Sequence, residues 1–250
     1  MTRFLAVSLT AAALALPARA EIVGESFAYS VDGAAFEGFV AHNAALDAPR
    51  GTVLIVHDWD GVNEHEERTA ERLAALGYTA FAIDMYGADA DPQGVEDYRA
   101  LTGELYGDRD MLRTRLMGAI EAAADIPGSG GGTVLIGYCF GGAVVLEGAR
   151  AGAGLDGYVS FHGGLGTPEG QDYAAADAPV LLLHGTADPV SGMADLAALL
   201  DELESAGVAH RAEVYGGARH AFTVHGSDDY DMASERRAWS ALQGFLEERL

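Results

Sequence analysis

The run Gly137-Tyr138-Cys139-Phe140-Gly141-Gly142 constrains this chain more than any other stretch. It follows the apolar run Thr133-Val134-Leu135-Ile136 and precedes Ala143-Val144-Val145-Leu146-Glu147, which can run as a helix. Strand, tight turn and helix in that order are the context of the nucleophile elbow G-x-S-x-G, here with cysteine at the centre. Glycine at 137 and 141 lets helix and strand backbones meet closely, where side chains would clash. Such a turn lifts one side chain to the top of a sheet and aims the Phe140 N–H at whatever that side chain attacks. Cys139 is the only cysteine of the 250 residues. A lone cysteine is often just a small buried apolar residue. The glycines around this one favour a nucleophile.

The first twenty residues read as a signal peptide. Met1-Thr2-Arg3 is a short positive start, Phe4 to Leu16 is an apolar stretch, and Pro17-Ala18-Arg19-Ala20 offers an A-x-A cleavage site near Ala20. The expected mature chain, 21–250, is one domain of ordinary α/β size, exported to the periplasm or beyond. No later apolar run is long enough for a transmembrane helix, so no membrane insertion is expected. The sequence holds 38 Asp and Glu against 15 Lys and Arg, a formal charge of −23. Loss of the two leader arginines, Arg3 and Arg19, takes this to −25. So acidic a surface disfavours nucleic acid and anionic membranes as partners. One cysteine forms no internal disulfide, and a free thiol in an oxidising compartment is a liability that chemistry would justify.

Hydrophobic periodicity predicts a hairpin from Phe27–Val31 and Ala35–Val40 about Asp32-Gly33. Strands are expected at Val53–His57, Thr79–Asp84, Thr133–Ile136, Gly157–Phe161, Val180–His184 and His210–Tyr215. Helices are expected at Glu66–Leu76, Met111–Ala124, Met193–Ser205 and Ser234–Leu250. After the hairpin, strands and helices alternate, which argues a mostly parallel sheet with helices on both faces. The fold class is therefore α/β, and the organisation suits an α/β-hydrolase sheet of about eight strands.

A thiol needs a nearby base at neutral pH, and the base needs an orienting acid. Asp188 lies in the loop after the apolar run Val180–His184, where Asp-Pro could equally mark a plain turn. His220 lies in the glycine-rich loop Gly216-Gly217-Ala218-Arg219-His220 after the last strand. The order Cys139, Asp188, His220, each beyond its own strand, is far more specific than any one of them. His57 and His184 end strands and could pack near the site. His162, in Phe161-His162-Gly163-Gly164, is a reserve candidate for lining the pocket, with structural packing the stronger reading. His65 stands among Glu64, Glu66 and Glu67 without the second histidine of H-E-x-x-H, so a solvated acidic helix start is preferred and no metal is expected. No cofactor is expected either. The loop His57-Asp58-Trp59-Asp60-Gly61-Val62-Asn63 is placed to give the second oxyanion donor, the Trp59 N–H. Asp58 and Asp60 read there either as site acids or as helix-start capping.

These residues together resemble the dienelactone hydrolase family, over nearly the whole mature chain. The marks are His57-Asp58-Trp59-Asp60-Gly61-Val62-Asn63, Leu73-Ala74-Ala75-Leu76-Gly77-Tyr78, Asp84-Met85-Tyr86-Gly87, the elbow, His184-Gly185-Thr186-Ala187-Asp188 and His220-Ala221-Phe222. The resemblance implies Cys139 as nucleophile, His220 as base, Asp188 as orienter, and Phe140 and Trp59 as backbone oxyanion donors. It also implies that Asp58 stands where the founding enzymes carry a glutamate that modulates the thiol. Those enzymes hold a substrate carboxylate with two arginines, and this chain has Ala88 and Val224 at the matching positions. The expected activity is hydrolysis of a small neutral ester or lactone, other than dienelactone, through a thioester. The rival is a non-hydrolytic ligand-binding or thiol-sensing protein on the same fold, and acyl transfer to another alcohol is a variant of the first. The sequence does not specify an oligomeric state.

Overall fold

The computed structural model describes residues 20–250; the expected signal peptide, apart from Ala20, lies outside them. Two long strands open the chain, β1 (Ile22–Val31) and β2 (Ala34–Asn43). They pair antiparallel about a two-residue turn in which Asp32 and Gly33 take φ of 51° and 84°. Positive φ at both turn positions suits the twist of the flanking strands, and Asp-Gly is the pair that adopts it most easily. Both strands run further than expected from the sequence, because their outer halves alternate too weakly between apolar and polar to register as strand.

The chain continues through β3 (Thr52–Val56), α1 (Glu64–Ala75), β4 (Thr79–Ile83), α2 (Val95–Gly107), α3 (Arg109–Ala122) and β5 (Thr133–Tyr138). It finishes with α4 (Phe140–Ala151), β6 (Gly157–Phe161), β7 (Val180–Gly185), α5 (Met193–Ala206), β8 (His210–Tyr215) and α6 (Met232–Arg249). The eight strands form one sheet in the order β1-β2-β4-β3-β5-β6-β7-β8. It is parallel from β4 to β8, and β2 joins β4 antiparallel.

The central strands are buried on both faces. Leu54 and Val56 of β3 join one core with Leu116 of α3, Val144 of α4 and Leu199 of α5. Val53 and Ile55 join the other with Leu73 of α1 and Leu242 and Leu246 of α6. Alternation along a single strand thus feeds two helical layers. The apolar face of the C-terminal helix is satisfied inside the fold.

Helix α2 has no counterpart among the sequence-based expectations. Its N-cap, Gly94, makes no side-chain cap bond, and only Thr102 and Leu105 of its residues are buried. A helix with so narrow a buried face carries little 3.6-residue periodicity to detect.

Strand ends are in register where they matter. Val56 pairs with Gly137, Gly137 with Ser160, Phe161 with Leu183, and Gly185 with Tyr215. The loops after β3, β5, β6, β7 and β8 therefore emerge side by side at the carboxyl edge of the sheet, the usual place for a site in an open α/β sheet.

Candidate active site

Cys139 sits between β5 and α4 with φ of 50° and ψ of −108°, a conformation L residues seldom adopt. Two glycines make this turn possible. A Cβ on Gly137 would lie 2.3 Å from the Gly141 carbonyl oxygen, and one on Gly141 would lie 2.3 Å from the Val56 carbonyl oxygen. The turn is tied to the sheet by the Cys139 N–H, which donates to the Phe161 carbonyl at 3.0 Å.

The structure brings Cys139, His220 and Asp188 together. His220 Nε2 lies 2.9 Å from Cys139 Sγ, and its Nδ1 lies 2.8 Å from Asp188 Oδ2. The other oxygen of Asp188 accepts the N–H groups of Val190 at 2.8 Å and Ser191 at 3.2 Å. Burial opposes the Asp188 charge. The His220 hydrogen bond and charge and these two amides outweigh it and hold the carboxyl below its ordinary range. With Asp188 ionised, Nδ1 of His220 carries its proton toward the carboxylate and Nε2 faces the sulfur as an acceptor.

The thiol is pushed well above its ordinary pKa. Burial is the main cause, the Asp58 carboxylate adds to it by charge and by hydrogen bonding, and the Phe140 N–H offsets a part. Asp58 is buried at the end of β3, and burial with the neighbouring Asp60 raises its pKa to about 6 against the Trp59 N–H, the thiol and His220. Asp58 thus opposes the charge on the Cys139 sulfur. It also accepts the Trp59 backbone N–H at 2.5 Å, so the amide expected as the second oxyanion donor is already engaged.

Beneath this loop lies Glu66, which is fully buried. Three acids at the start of α1 read from the sequence as a solvated cluster; for Glu66 the structure corrects this. Its carboxyl accepts the Asn63 N–H at 3.1 Å, closing a capping box, and the Asp58 N–H at 3.3 Å. Burial and the nearby Asp58 raise its pKa to about 8. His65 is likewise packed rather than solvated: it meets the Tyr138 ring edge-on at 4.7 Å, and burial lowers its pKa to about 4.

The other histidines take distinct places. His57 is fully buried, with Nδ1 2.5 Å from the Asp58 carbonyl and Nε2 accepting the Met85 N–H at 3.1 Å, so it links the ends of β3 and β4. His184 bonds through Nε2 to the Ser191 carbonyl at 2.8 Å, behind Asp188. His162 is fully buried with its ring 5.3 Å from that of His220.

Helix α2 supplies residues the sequence reading missed. Tyr98 packs on the Trp59 ring at 5.4 Å, and Tyr106 meets the Phe140 ring edge-on at 5.5 Å. Together they form an aromatic wall over the elbow. The tyrosines recur eight residues apart, a spacing that puts both on one helix face once the helix itself is recognised.

Ala88 and Val224 line two separate clefts that share Asp60. The arginines in the Val224 cleft are engaged elsewhere, Arg68 with Glu64 and Arg72 with Glu235 and over the Trp239 ring. Among the described residues no group of three or more His, Cys, Asp or Glu could hold a metal ion.

Comparison with known proteins places this chain in a family. A dienelactone hydrolase-like promiscuous phosphotriesterase from metagenomic libraries is 32% identical, with a TM-score of 0.85 over 91% of this chain and 98% of that one. A dienelactone hydrolase candidate from Klebsiella pneumoniae, at 23% identity and a TM-score of 0.81 over 91% and 99% of the two chains, shares the α/β-hydrolase fold. A candidate carboxymethylenebutenolidase from Methylorubrum extorquens is 28% identical over 84% of this chain and 77% of its own length. Residues 36–250 match the model of the dienelactone hydrolase family, and the chain belongs to that family.

Proposed function

We propose that the protein hydrolyses small neutral carboxylic esters or lactones through a thioester on Cys139. The observation that carries this reading is the His220 ring, with one nitrogen 2.9 Å from the Cys139 sulfur and the other 2.8 Å from Asp188. Family membership and relatives named for lactone hydrolysis support the reaction class.

The thiol proton passes to His220 Nε2 as sulfur attacks the carbonyl carbon. Asp188 stabilises the imidazolium that forms. Charge develops on the carbonyl oxygen beside the Phe140 N–H and, once Asp58 releases it, the Trp59 N–H. The intermediate collapses with cleavage of the C–O bond, and His220 returns its proton to the departing alkoxide. Water, giving a proton to His220, then attacks the thioester; the acid leaves and the thiol is restored.

The case for a neutral substrate rests on charge. Asp58 and Asp60 stand in the loop over the sulfur, while Ala88 and Val224 offer no cation and Arg68 and Arg72 are paired with acids. A carboxylate-bearing substrate would meet repulsion without the bidentate partners that offset it. Dienelactone itself is therefore excluded from the reading. Export after cleavage near Ala20 belongs to the same proposal.

A hydrolysis screen of the purified protein over neutral esters and lactones, their anionic counterparts and a phosphotriester tests it, with Cys139→Ala as control. The expected result is Cys139-dependent turnover of neutral carboxylic substrates. Preference for anionic lactones would overturn the substrate class, and full activity in Cys139→Ala would overturn the chemistry.

A further inference from the structure

The end of β6 lies at the junction of the three elements that carry Cys139, Asp188 and His220. The Phe161 carbonyl accepts the Cys139 N–H at 3.0 Å, and the His162 N–H donates to the Leu183 carbonyl on β7 at 2.9 Å. At His162 the backbone turns to φ of 38° although the residue is fully buried. A non-glycine residue is strained in that region. Two glycines follow at once, and either could hold a positive φ without this strain. The chain instead places the conformation on a residue whose imidazole is then sent toward the His220 loop.

That imidazole meets the loop at three points. Its Nε2 lies 2.7 Å from Thr223 Oγ1. Its ring stands edge-to-face with His220 at 5.3 Å and with Phe222 at 5.2 Å. Before His220 the loop is fastened by the Gly217 N–H to Thr186 Oγ1 at 2.7 Å and by the Ala187 N–H to the Ala218 carbonyl at 3.0 Å. After it, the Asp231 N–H reaches the Phe222 carbonyl at 3.0 Å, and His162 holds the next side chain, Thr223. Burial, with His220, His65 and His184 nearby, pushes the His162 pKa well below its ordinary value, so the ring stays neutral beside a forming imidazolium. Among the described residues its Nδ1 has no hydrogen-bond partner, so the Thr223 contact is the one side-chain bond that offsets the burial of this imidazole, a cost an apolar residue of the same size would not carry.

We propose that His162 is a positioning residue: its imidazole, clamped to Thr223, sets the angle at which His220 stands between Cys139 and Asp188. The proposal rests on the triad reading above. It implies that His162 acts on the transition state and not on substrate affinity. Misplacing a reacting group by about 1 Å can cost on the order of 100-fold in rate.

The test is a double-mutant cycle of His162→Gly, which keeps the positive φ without strain, and Thr223→Val, which removes only the hydroxyl. Each variant should lower kcat by roughly 10- to 100-fold with KM within about threefold. The double variant should be no slower than the slower single one, because both break the same clamp. Independent, multiplying losses, or a change confined to KM, would overturn the proposal. Thr223→Val carries the test alone if His162→Gly does not fold, and unaltered kcat in it would also overturn it. A second readout needs no turnover. The downfield Nδ1–H proton resonance of His220 should shift or broaden in both variants, and an unmoved resonance contradicts the clamp even if no ester is hydrolysed. Absence of turnover in the unaltered protein with a shifted resonance in the variants would instead strike the hydrolase reading alone.

Discussion

The Asp58 carboxylate accepts the Trp59 N–H at 2.5 Å, and its charge raises the pKa of the Cys139 thiol. One acid thus occupies the amide suited to the oxyanion and opposes the charge on the nucleophile. At rest the thiol is neutral and the second donor is taken. In the proposed mechanism a carbonyl oxygen that takes the Trp59 N–H displaces Asp58 from it, which couples arrival of the carbonyl to the environment of the sulfur.

Asp58→Asn removes the charge that raises the thiol pKa. The thiolate fraction of Cys139 at pH 7 should rise, and with it alkylation by iodoacetamide, by on the order of 10-fold for each unit the pKa falls. Alkylation rates against pH for both proteins measure this directly. Equal or slower alkylation of the variant would show that Asp58 does not restrain the sulfur.

Asp188→Asn leaves the shape of the site while removing the acceptor that fixes the Nδ1–H tautomer of His220. The expected loss in kcat is on the order of 10³-fold or more. Because His220 and two amides keep the Asp188 carboxyl below its ordinary range, its protonation should not limit activity at pH 5. Steady-state kinetics from pH 5 to 8 check both points.

Much of this site is legible in the sequence because Cys139 and Asp188 each follow a short apolar run that reads as a buried strand, and His220 follows the edge strand β8 in a glycine-rich loop. Parallel register then aligns their loops. Three things are not legible. Helix α2 buries too few residues to leave a periodic trace, so its aromatic wall of Tyr98 and Tyr106 goes unseen. Glu64, Glu66 and Glu67 look alike as letters, and only the capping geometry at Asn63 turns one of them inward. The cluster around Glu147 gathers Arg109, Arg113 and Arg150 with Gln171 from separate segments, which no local pattern predicts.

Gly141→Ala places a Cβ 2.3 Å from the Val56 carbonyl oxygen and 2.6 Å from that of His57. Both neighbours are backbone and cannot swing aside. A destabilisation of about 3 kcal/mol or more is expected by chemical denaturation, whereas Gly216→Ala, with open space around its Cβ, should be nearly neutral.

Two buried acids should move stability with pH in opposite directions. Glu66 has its pKa raised to about 8 in the fold, so the form favoured by burial is fully present below about pH 4.5 and its contribution is lost as pH rises toward 8. Relative to the unaltered protein, Glu66→Gln should therefore gain stability between pH 5 and 8. Glu147 is the reverse case. Burial opposes its charge, but Arg150, Arg113 and Gln171 lower its pKa, so its contribution is present above about pH 4.5 and lost as pH falls. Glu147→Gln leaves the buried Arg150 without its carboxylate and should cost about 3–5 kcal/mol at pH 7, less in acid. Thermal unfolding of the three proteins across pH 4 to 8 reads both trends, and parallel curves would contradict them.

The central claim is that Cys139 carries the acyl group during turnover. Rapid-quench mass spectrometry of the intact protein with an activated aryl ester tests it most directly. A transient mass increase equal to the acyl group is expected, mapped to the peptide holding Cys139, forming and decaying at rates matching turnover and absent in Cys139→Ala. Turnover without that adduct, or an adduct on Cys139 that never decays, would contradict it.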